Sequence, residues 1–141
     1  MRTAFIPLRN DGYGKGAFGA SRSGNRKHQG IDLLAETGTP VLSSKSGRIL
    51  YAGTENGYGN YVVILHPDGF STCYAHLSQL SVVTGDWVEQ GSVIGRSGKT
   101  GNAAKTKILP HLHFEIRYAG QPLDPGAGWM SPHFTFSKAT E

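Results

Sequence analysis

Cysteine is almost absent from this chain, because its 141 residues include only Cys73, so no disulfide can form within it. Cys73 lies in a pattern of alternating apolar and polar residues, and we interpret it as a small side chain in the core. Long apolar runs are missing too: no segment approaches the roughly 20 apolar residues that cross a bilayer as a helix. Residues 1–8 also lack the apolar run of a secretory signal. We therefore expect no transmembrane segment and no signal peptide.

Charged residues are scarce, at 17% of the chain, and the acidic ones are the scarcer, with 10 Asp and Glu against 14 Lys and Arg. The net charge of +4 favours anionic partners such as nucleic acid, a membrane surface or a bacterial cell wall. No helix-turn-helix, zinc-finger or aromatic RNA-binding motif accompanies this charge, so we expect no nucleic-acid partner. Much of the positive charge falls in residues 1–27, which we expect to form an irregular basic lead-in packed on the domain.

Glycine, in contrast, is abundant, with 20 residues in a chain that is 38% apolar. This composition is typical of an all-β domain with tight turns. Short strands are predicted over residues 47–53, 60–65 and 70–77, and the last two form a hairpin across the turn Pro67-Asp68-Gly69. The predicted fold is a compact antiparallel β-sandwich or barrel of short hairpins, with a metal-site groove and little helix. The length suits a single domain, which we expect to be a monomer.

Two histidines lie two residues apart in the segment 110–118. Polar residues at 111, 113, 115 and 117 alternate with apolar residues at 112, 114, 116 and 118, which predicts a half-buried β-strand. His111 and His113 therefore point the same way. Two such imidazoles can hold a metal ion together, or one can hold the ion while the other transfers protons.

His28 and Asp32 form a second pair, four residues apart, which shares a face of either a strand or a helical turn. We predict the strand, because Gly30 would weaken a helix and Pro40 would soon break its continuation. Zinc binds nitrogen and carboxylate ligands, and a catalytic zinc site uses three protein ligands and leaves the fourth position to water. The two pairs together indicate a metal site. His66, just before a predicted turn, is interpreted as a surface histidine.

Three motifs in combination resemble the lysostaphin-type zinc metallopeptidases, the LytM-like or M23 family, which cut peptide crosslinks of bacterial peptidoglycan. The motifs are His28-x-x-x-Asp32, Tyr74-Ala75-His76-Leu77 and Pro110-His111-Leu112-His113-Phe114-Glu115-Ile116. The similarity covers roughly residues 28–125, which we predict to be the peptidase domain. Residues 126–141 then form a C-terminal tail.

The resemblance implies one Zn²⁺ per chain, bound by His28, Asp32 and His113. It also implies that His111 and His76 are catalytic, one as the base that takes the proton of the attacking water and the other as stabiliser of the oxyanion. The sequence does not show which histidine has which role. The resemblance also implies that the substrates of the protein are peptidoglycan peptides. The sequence leaves open whether the protein cuts direct diaminopimelate crosslinks or glycine bridges.

Three further residues near the motifs have two interpretations each. Glu115 faces the same side as the histidines and can orient one of them, or it can be a solvated strand residue. Tyr58 can line the groove or serve in packing. Asn25 can contact metal or substrate, although a turn residue is the better interpretation. Residues 102–109 form a longer segment than is usual in the family, with Lys105 and Lys107, and leave the substrate preference open.

The leading hypothesis is a zinc endopeptidase of the cell wall. Without a signal peptide, it is expected to be a phage lysin, made in the host cytoplasm and acting on the wall after release or from a virion; a bacterial enzyme is the alternative. A second hypothesis is an inactive family member that binds cell wall or a partner. A third is a lipoyl or biotinyl carrier domain, which the segment 85–91 resembles, but this hypothesis leaves the histidines unexplained.

Overall fold

The protein is described by a computed structural model that covers residues 10–11, 14–22, 27–105 and 108–124. The strands in these ranges, in chain order, are β1 (Asn10–Asp11), β2 (Gly14–Lys15), β3 (Ile31–Leu34), β4 (Pro40–Leu42), β5 (Gly47–Glu55), β6 (Gly59–Leu65), β7 (Phe70–Leu80), β8 (Trp87–Val88), β9 (Val93–Ser97), β10 (His111–Tyr118) and β11 (Gln121–Leu123). A single turn of 3-10 helix, Gly101–Ala104, precedes β10. In the described ranges no helix is long and apolar enough to span a bilayer.

Nine of the strands form one antiparallel sheet, whose main path runs β11-β10-β7-β6-β5-β8. Strand β3 pairs with β10, while β9 pairs with both β7 and β4. The path ends at β11 on one side and at β8 on the other, so the sheet is open and does not close into a barrel. The prediction of an antiparallel all-β fold with little helix is confirmed. Strands β1 and β2 form a separate pair in the lead-in.

The predicted strands correspond to β5, β6 and β7, each of which is longer than the sequence pattern indicated. Strands β6 and β7 form the predicted hairpin. Its turn is closed by hydrogen bonds from His66 N to Phe70 O, 2.9 Å, and from Gly69 N to His66 O, 3.0 Å. The alternation of apolar residues and the turn residues therefore fix this part of the sheet.

The core lies under the long strands β6, β7 and β10. Tyr74 and Phe114 are fully buried there, with ring centroids 5.3 Å apart in an edge-on contact. Cys73 is also buried, which agrees with its interpretation as a core side chain. The prediction of a half-buried strand at β10 is wrong, because residues 111–116 are buried on both faces. The apolar face packs in the core, and the side chains of the polar face contact His28, Tyr58 and His76.

His66 is 2% exposed, so its interpretation as a surface histidine is wrong. Its Nδ1 lies 2.9 Å from the Ser46 carbonyl oxygen, and its Nε2 lies 2.9 Å from the Thr72 hydroxyl. The Thr72 hydroxyl is hydrogen bonded to the Tyr74 hydroxyl, 2.9 Å. The Tyr74 hydroxyl also accepts a hydrogen bond from the Ser44 amide, 3.0 Å. A buried polar chain that satisfies every donor and acceptor stabilises the fold and also specifies how β6 and β7 pack.

This environment predicts that the stability of the protein depends on the protonation of His66. Burial lowers the pKa of His66. In the nearby ion pair, the charge of Lys45 lowers this pKa further, while the charge of Asp68 raises it. The unfolded chain therefore takes up this proton at a higher pH than the folded chain, and the free energy of unfolding should fall as the pH drops below about 6.5. In urea titrations with chelator present, His66→Gln should show a weaker pH dependence. If the free energy of unfolding changed equally with pH in the wild type and in His66→Gln, His66 would not be the source of the pH dependence.

Candidate metal centre

Strands β3 and β10 bring the two sequence pairs together. Their antiparallel register places Asp32 directly opposite His113. The chain before β3 also runs very close to β10, since a Cβ on Gly30 would lie 2.3 Å from the Phe114 carbonyl oxygen. Only glycine permits this approach, which explains its place in the middle of the first motif. The predicted strand is right for Asp32 but not for His28, which precedes β3 and a bend at Gly30.

Three side-chain atoms converge where these segments meet. Asp32 Oδ1 lies 3.0 Å from His28 Nε2 and 2.8 Å from His113 Nδ1, and the two nitrogens are 3.1 Å apart. All three side chains are buried. Ligands of a tetrahedral zinc ion at about 2.0–2.1 Å are separated by about 3.3 Å, so this triangle needs to widen only slightly to hold one. The three residues thus fit a zinc site.

The outer nitrogen of each histidine ligand is held by a second hydrogen bond. His28 Nδ1 lies 2.9 Å from the Ala17 carbonyl oxygen, so a neutral ring that binds a metal would keep its proton on Nδ1 and offer the Nε2 lone pair to the ion. His113 uses the opposite arrangement, since its Nε2 lies 2.7 Å from Glu115 Oε2 and its Nδ1 faces Asp32. Each ring therefore turns one defined ligand atom inward, as metal-binding histidines do.

The charges of this cluster are also those of a cation site. Burial favours a neutral Asp32, yet hydrogen bonds from His113 and His28 hold the pKa of this carboxyl well below its usual range. Burial likewise opposes a charge on His113, but hydrogen bonds to Asp32 and Glu115 raise its pKa to about 9. In the metal-free chain the extra proton of His113 offsets one of the two carboxylate charges, and Arg117 is paired with Glu115. A metal ion bound at Nδ1 would replace that proton.

Glu115 is 1% exposed, so the alternative of a solvated strand residue is wrong. Its Oε2 accepts from the Tyr58 hydroxyl, 2.6 Å, and its Oε1 accepts from Arg117 Nε, 2.7 Å. Burial alone would raise the pKa of Glu115, but the hydrogen bond with His113 outweighs it, and the pKa falls to about 2. Burial and the neighbouring Glu115 raise the pKa of Tyr58, which keeps its hydroxyl protonated as the donor.

Sequence reasoning missed Arg117 as a supporting residue, although the signal was present. Its position continues the polar face that begins at His111 and His113. In the structure its guanidinium also donates to Gln29, 3.0 Å, so it links β10 to the segment between the two ligands His28 and Asp32. The strand alternation alone was sufficient to include it.

His76 enters the site through an irregularity in β7. Between the register pairs Val62–Tyr74 and Asn60–Leu77, β7 contains one more residue than β6, so it bulges there. His76 has a φ of 64°, in the left-handed region that non-glycine residues rarely adopt. Its amide donates to the Tyr58 carbonyl, 2.8 Å. The bulge aims the imidazole at the other histidines.

The two histidines assigned to catalysis lie side by side. The ring centroids of His76 and His111 are 5.0 Å apart, and His111 Nε2 is 3.7 Å from Asp32 Oδ1. Each Nδ1 contacts a backbone carbonyl at 2.8 Å, that of Thr100 for His76 and that of Leu109 for His111. Burial and the charges of the neighbouring histidines lower the pKa of His76 to about 4. The structure thus gathers all five residues that the motifs singled out.

These residues line an open groove of about 890 Å³. Tyr58 lines it and also stacks on Tyr61, with ring centroids 5.0 Å apart, so both interpretations of Tyr58 hold. Lys105, after the 3-10 helix, lies along the same groove. Asn25, Lys107 and the tail 126–141 lie outside the described residues.

Comparisons with known proteins agree with this geometry. Residues 26–125 match the model of peptidase family M23. Over 100 residues, 71% of this chain and 22% of the relative, the chain is 48% identical to the DD-carboxypeptidase/endopeptidase Mpg of Neisseria meningitidis serogroup B. Over 109 residues, 77% of this chain and 27% of the relative, it is 38% identical to the murein hydrolase activator NlpD of Escherichia coli (strain K12).

A solved structure shows the same similarity. The catalytic domain of the antimicrobial peptidase lysostaphin from Staphylococcus simulans aligns with a TM-score of 0.67 and 36% identity, covering 83% of this chain and 89% of that domain. The chain spans less than a third of either curated relative. The family match nevertheless covers well over half of the chain, including all five motif residues. The chain therefore belongs to peptidase family M23.

Proposed function

We propose that this protein is a zinc-dependent endopeptidase that hydrolyses peptide crosslinks of bacterial peptidoglycan. The observation that carries the proposal is the placement of His76 and His111 beside three converging ligand atoms, in a groove of about 890 Å³. The similarity to a peptidase catalytic domain and to a DD-carboxypeptidase/endopeptidase supports it.

His28, Asp32 and His113 would hold the metal ion. When bound, zinc supplies a Lewis acid that polarises the scissile carbonyl and lowers the pKa of a coordinated water. Asp32 contributes the one negative charge among the ligands, so the site keeps a net positive charge. Glu115 holds the ring of His113 in place through the 2.7 Å contact at Nε2.

The remaining chemistry falls to His76 and His111. Because each Nδ1 is bonded to a backbone carbonyl, the neutral ring carries its proton on Nδ1, and Nε2 is the atom that accepts a proton. One imidazole accepts the proton of the attacking water, and the other, when protonated, donates a hydrogen bond to the oxygen that gains charge. The proton then passes to the leaving amine. Burial of both rings limits their contact with bulk water.

Digestion of purified cell walls tests the proposal. The zinc-loaded protein should clear suspensions of peptidoglycan, lose this activity with a chelator, and regain it when zinc is restored. Mass spectrometry of the released peptides should show new amino and carboxyl ends at a crosslink. A protein that holds one zinc ion per chain and releases no peptide from either diaminopimelate-type or glycine-bridged walls would contradict it.

The relative NlpD carries the name of a murein hydrolase activator, which supports a second candidate, a non-catalytic partner of another hydrolase. Such an activator would work equally well with His111 replaced by alanine, whereas an endopeptidase would not. The presence of all five motif residues in one groove favours the enzyme.

The proposed substrate also fixes a place of action. Because peptidoglycan crosslinks lie outside the cytoplasmic membrane, we propose that the protein acts on the wall itself. A phage lysin, reaching the wall after release or on a virion, and a bacterial enzyme both satisfy this requirement.

A further inference from the structure

The groove has charged side chains along its opening. Resting on the endopeptidase activity above, we propose that it selects peptides with free carboxylates beside the scissile amide, as in direct diaminopimelate crosslinks, over uncharged oligoglycine bridges. The residues that make this selection are Arg22, Lys27 and Lys105, which we term the cationic rim.

The cationic rim draws on two separate segments of the chain. Arg22 and Lys27 belong to the segment that leads to His28, and Lys105 directly follows the 3-10 helix. Lys27 and Lys105 are exposed, and Arg22 is partly exposed. Arg22 also reaches into the site, with a guanidinium nitrogen 3.5 Å from Asp32 Oδ2. Positive charge therefore extends from the groove opening down to the ligands.

The exposed charged side chains among the described residues that line the groove are basic. The acidic lining residues are Asp32 and Glu115, which are 2% and 1% exposed. Asp32 is bonded to His28, His113 and Arg22, and Glu115 to His113, Tyr58 and Arg117. These partners offset the negative charges of the two buried carboxylates. An approaching peptide therefore meets a positive potential, which a bound divalent cation would increase.

The two kinds of crosslink differ in this respect. A direct crosslink to diaminopimelate carries carboxylates close to the amide that is cut, whereas an oligoglycine bridge presents only neutral amides. Attraction between exposed charges is effective over roughly one Debye length, about 8 Å at physiological salt, so an exposed lysine that lines the groove attracts a peptide carboxylate bound within that distance. The cationic rim should thus strengthen binding of the acidic peptide in a salt-dependent manner.

Binding to the zinc-loaded His111→Ala variant tests this inference without turnover. The ligands are a crosslinked muropeptide dimer with free diaminopimelate carboxylates and the same dimer with these carboxylates amidated, measured by calorimetry. At 50 mM salt the free acid should bind about tenfold more tightly, and at 500 mM the ratio should fall below about threefold, because salt screens exposed charges.

Charge reversal identifies the residues responsible. Adding Lys27→Glu and Lys105→Glu should abolish the preference for the free acid. Arg48→Glu is the matched control, because Arg48 is exposed on β5 and does not line the groove. Equal or weaker binding of the free acid, or loss of the preference in the Arg48→Glu control, would overturn the inference. A wild-type protein that binds with this preference but cleaves neither dimer would contradict the endopeptidase alone and support the cationic rim.

Discussion

The His111→Ala variant should turn over peptidoglycan about 10²–10⁴ times more slowly than the wild type while it still binds one zinc ion per chain. His111 lies beside the ligands but contributes none of the three converging atoms, since its Nε2 is 3.7 Å from Asp32 Oδ1. Removing its imidazole takes away a proton acceptor or donor and leaves the ligand triangle in place. Peptide release from purified walls gives the rate, and metal analysis after dialysis gives the zinc content.

A comparison with His113→Ala makes this prediction specific. The two histidines stand on the same strand face, two residues apart, and both are buried. The His113→Ala variant should lose both zinc and activity, because it removes one of the three ligand atoms. If His111→Ala lost zinc to the same extent, His111 would be a ligand and the division of roles within the pair would be wrong.

Replacement of Glu115 by alanine should both destabilise the fold and weaken zinc binding. Glu115 is almost fully buried and is bonded to Arg117, Tyr58 and His113. Without it, a partly buried guanidinium loses its counter-charge, which should cost about 3 kcal/mol of unfolding free energy. The ring of His113 also loses the partner that orients it, and residues in this position contribute roughly 10–100-fold to metal affinity. Urea titration and competition with a zinc chelator measure the two effects.

Two further variants show whether these effects come from the buried network. Glu115→Gln keeps an oxygen that can accept from Tyr58 or His113 but loses the charge opposite Arg117, so it should recover part of the zinc affinity and little of the stability. Glu55→Ala, at an exposed position of β5, should leave both quantities unchanged. Full zinc affinity in Glu115→Ala would show that Glu115 does not position His113.

Much of the fold could be predicted because its signals are local. Alternating side chains and turn residues locate β5, β6 and β7, and the pairing of β6 with β7 follows from the short turn between them. The pairing of β3 with β10 joins residues about 80 positions apart, and the composition contains no signal for it. Only the chemistry suggested it, since His28, Asp32 and His113 form a complete ligand set when combined.

The environment of single side chains was harder to predict. Glu115 and His66 both look like surface residues in the sequence, because a polar residue on a strand or before a turn is usually solvated. In the structure both are buried and fully hydrogen bonded, by partners up to 57 positions away. Such hydrogen-bond networks depend on which strands become neighbours in the sheet. The alternation of polar and apolar residues along a strand does not indicate its neighbours.

The bulge that carries His76 has a consequence for how this sheet can change. Glycine or asparagine would adopt a φ of 64° at lower conformational cost, so a sequence chosen only for folding stability would not keep histidine there. Removing the extra residue would restore regular pairing between β6 and β7 and withdraw the imidazole from the groove. At this one position, stability and chemistry favour different sequences. The left-handed histidine therefore places its imidazole in the groove at a conformational cost to the strand that carries it.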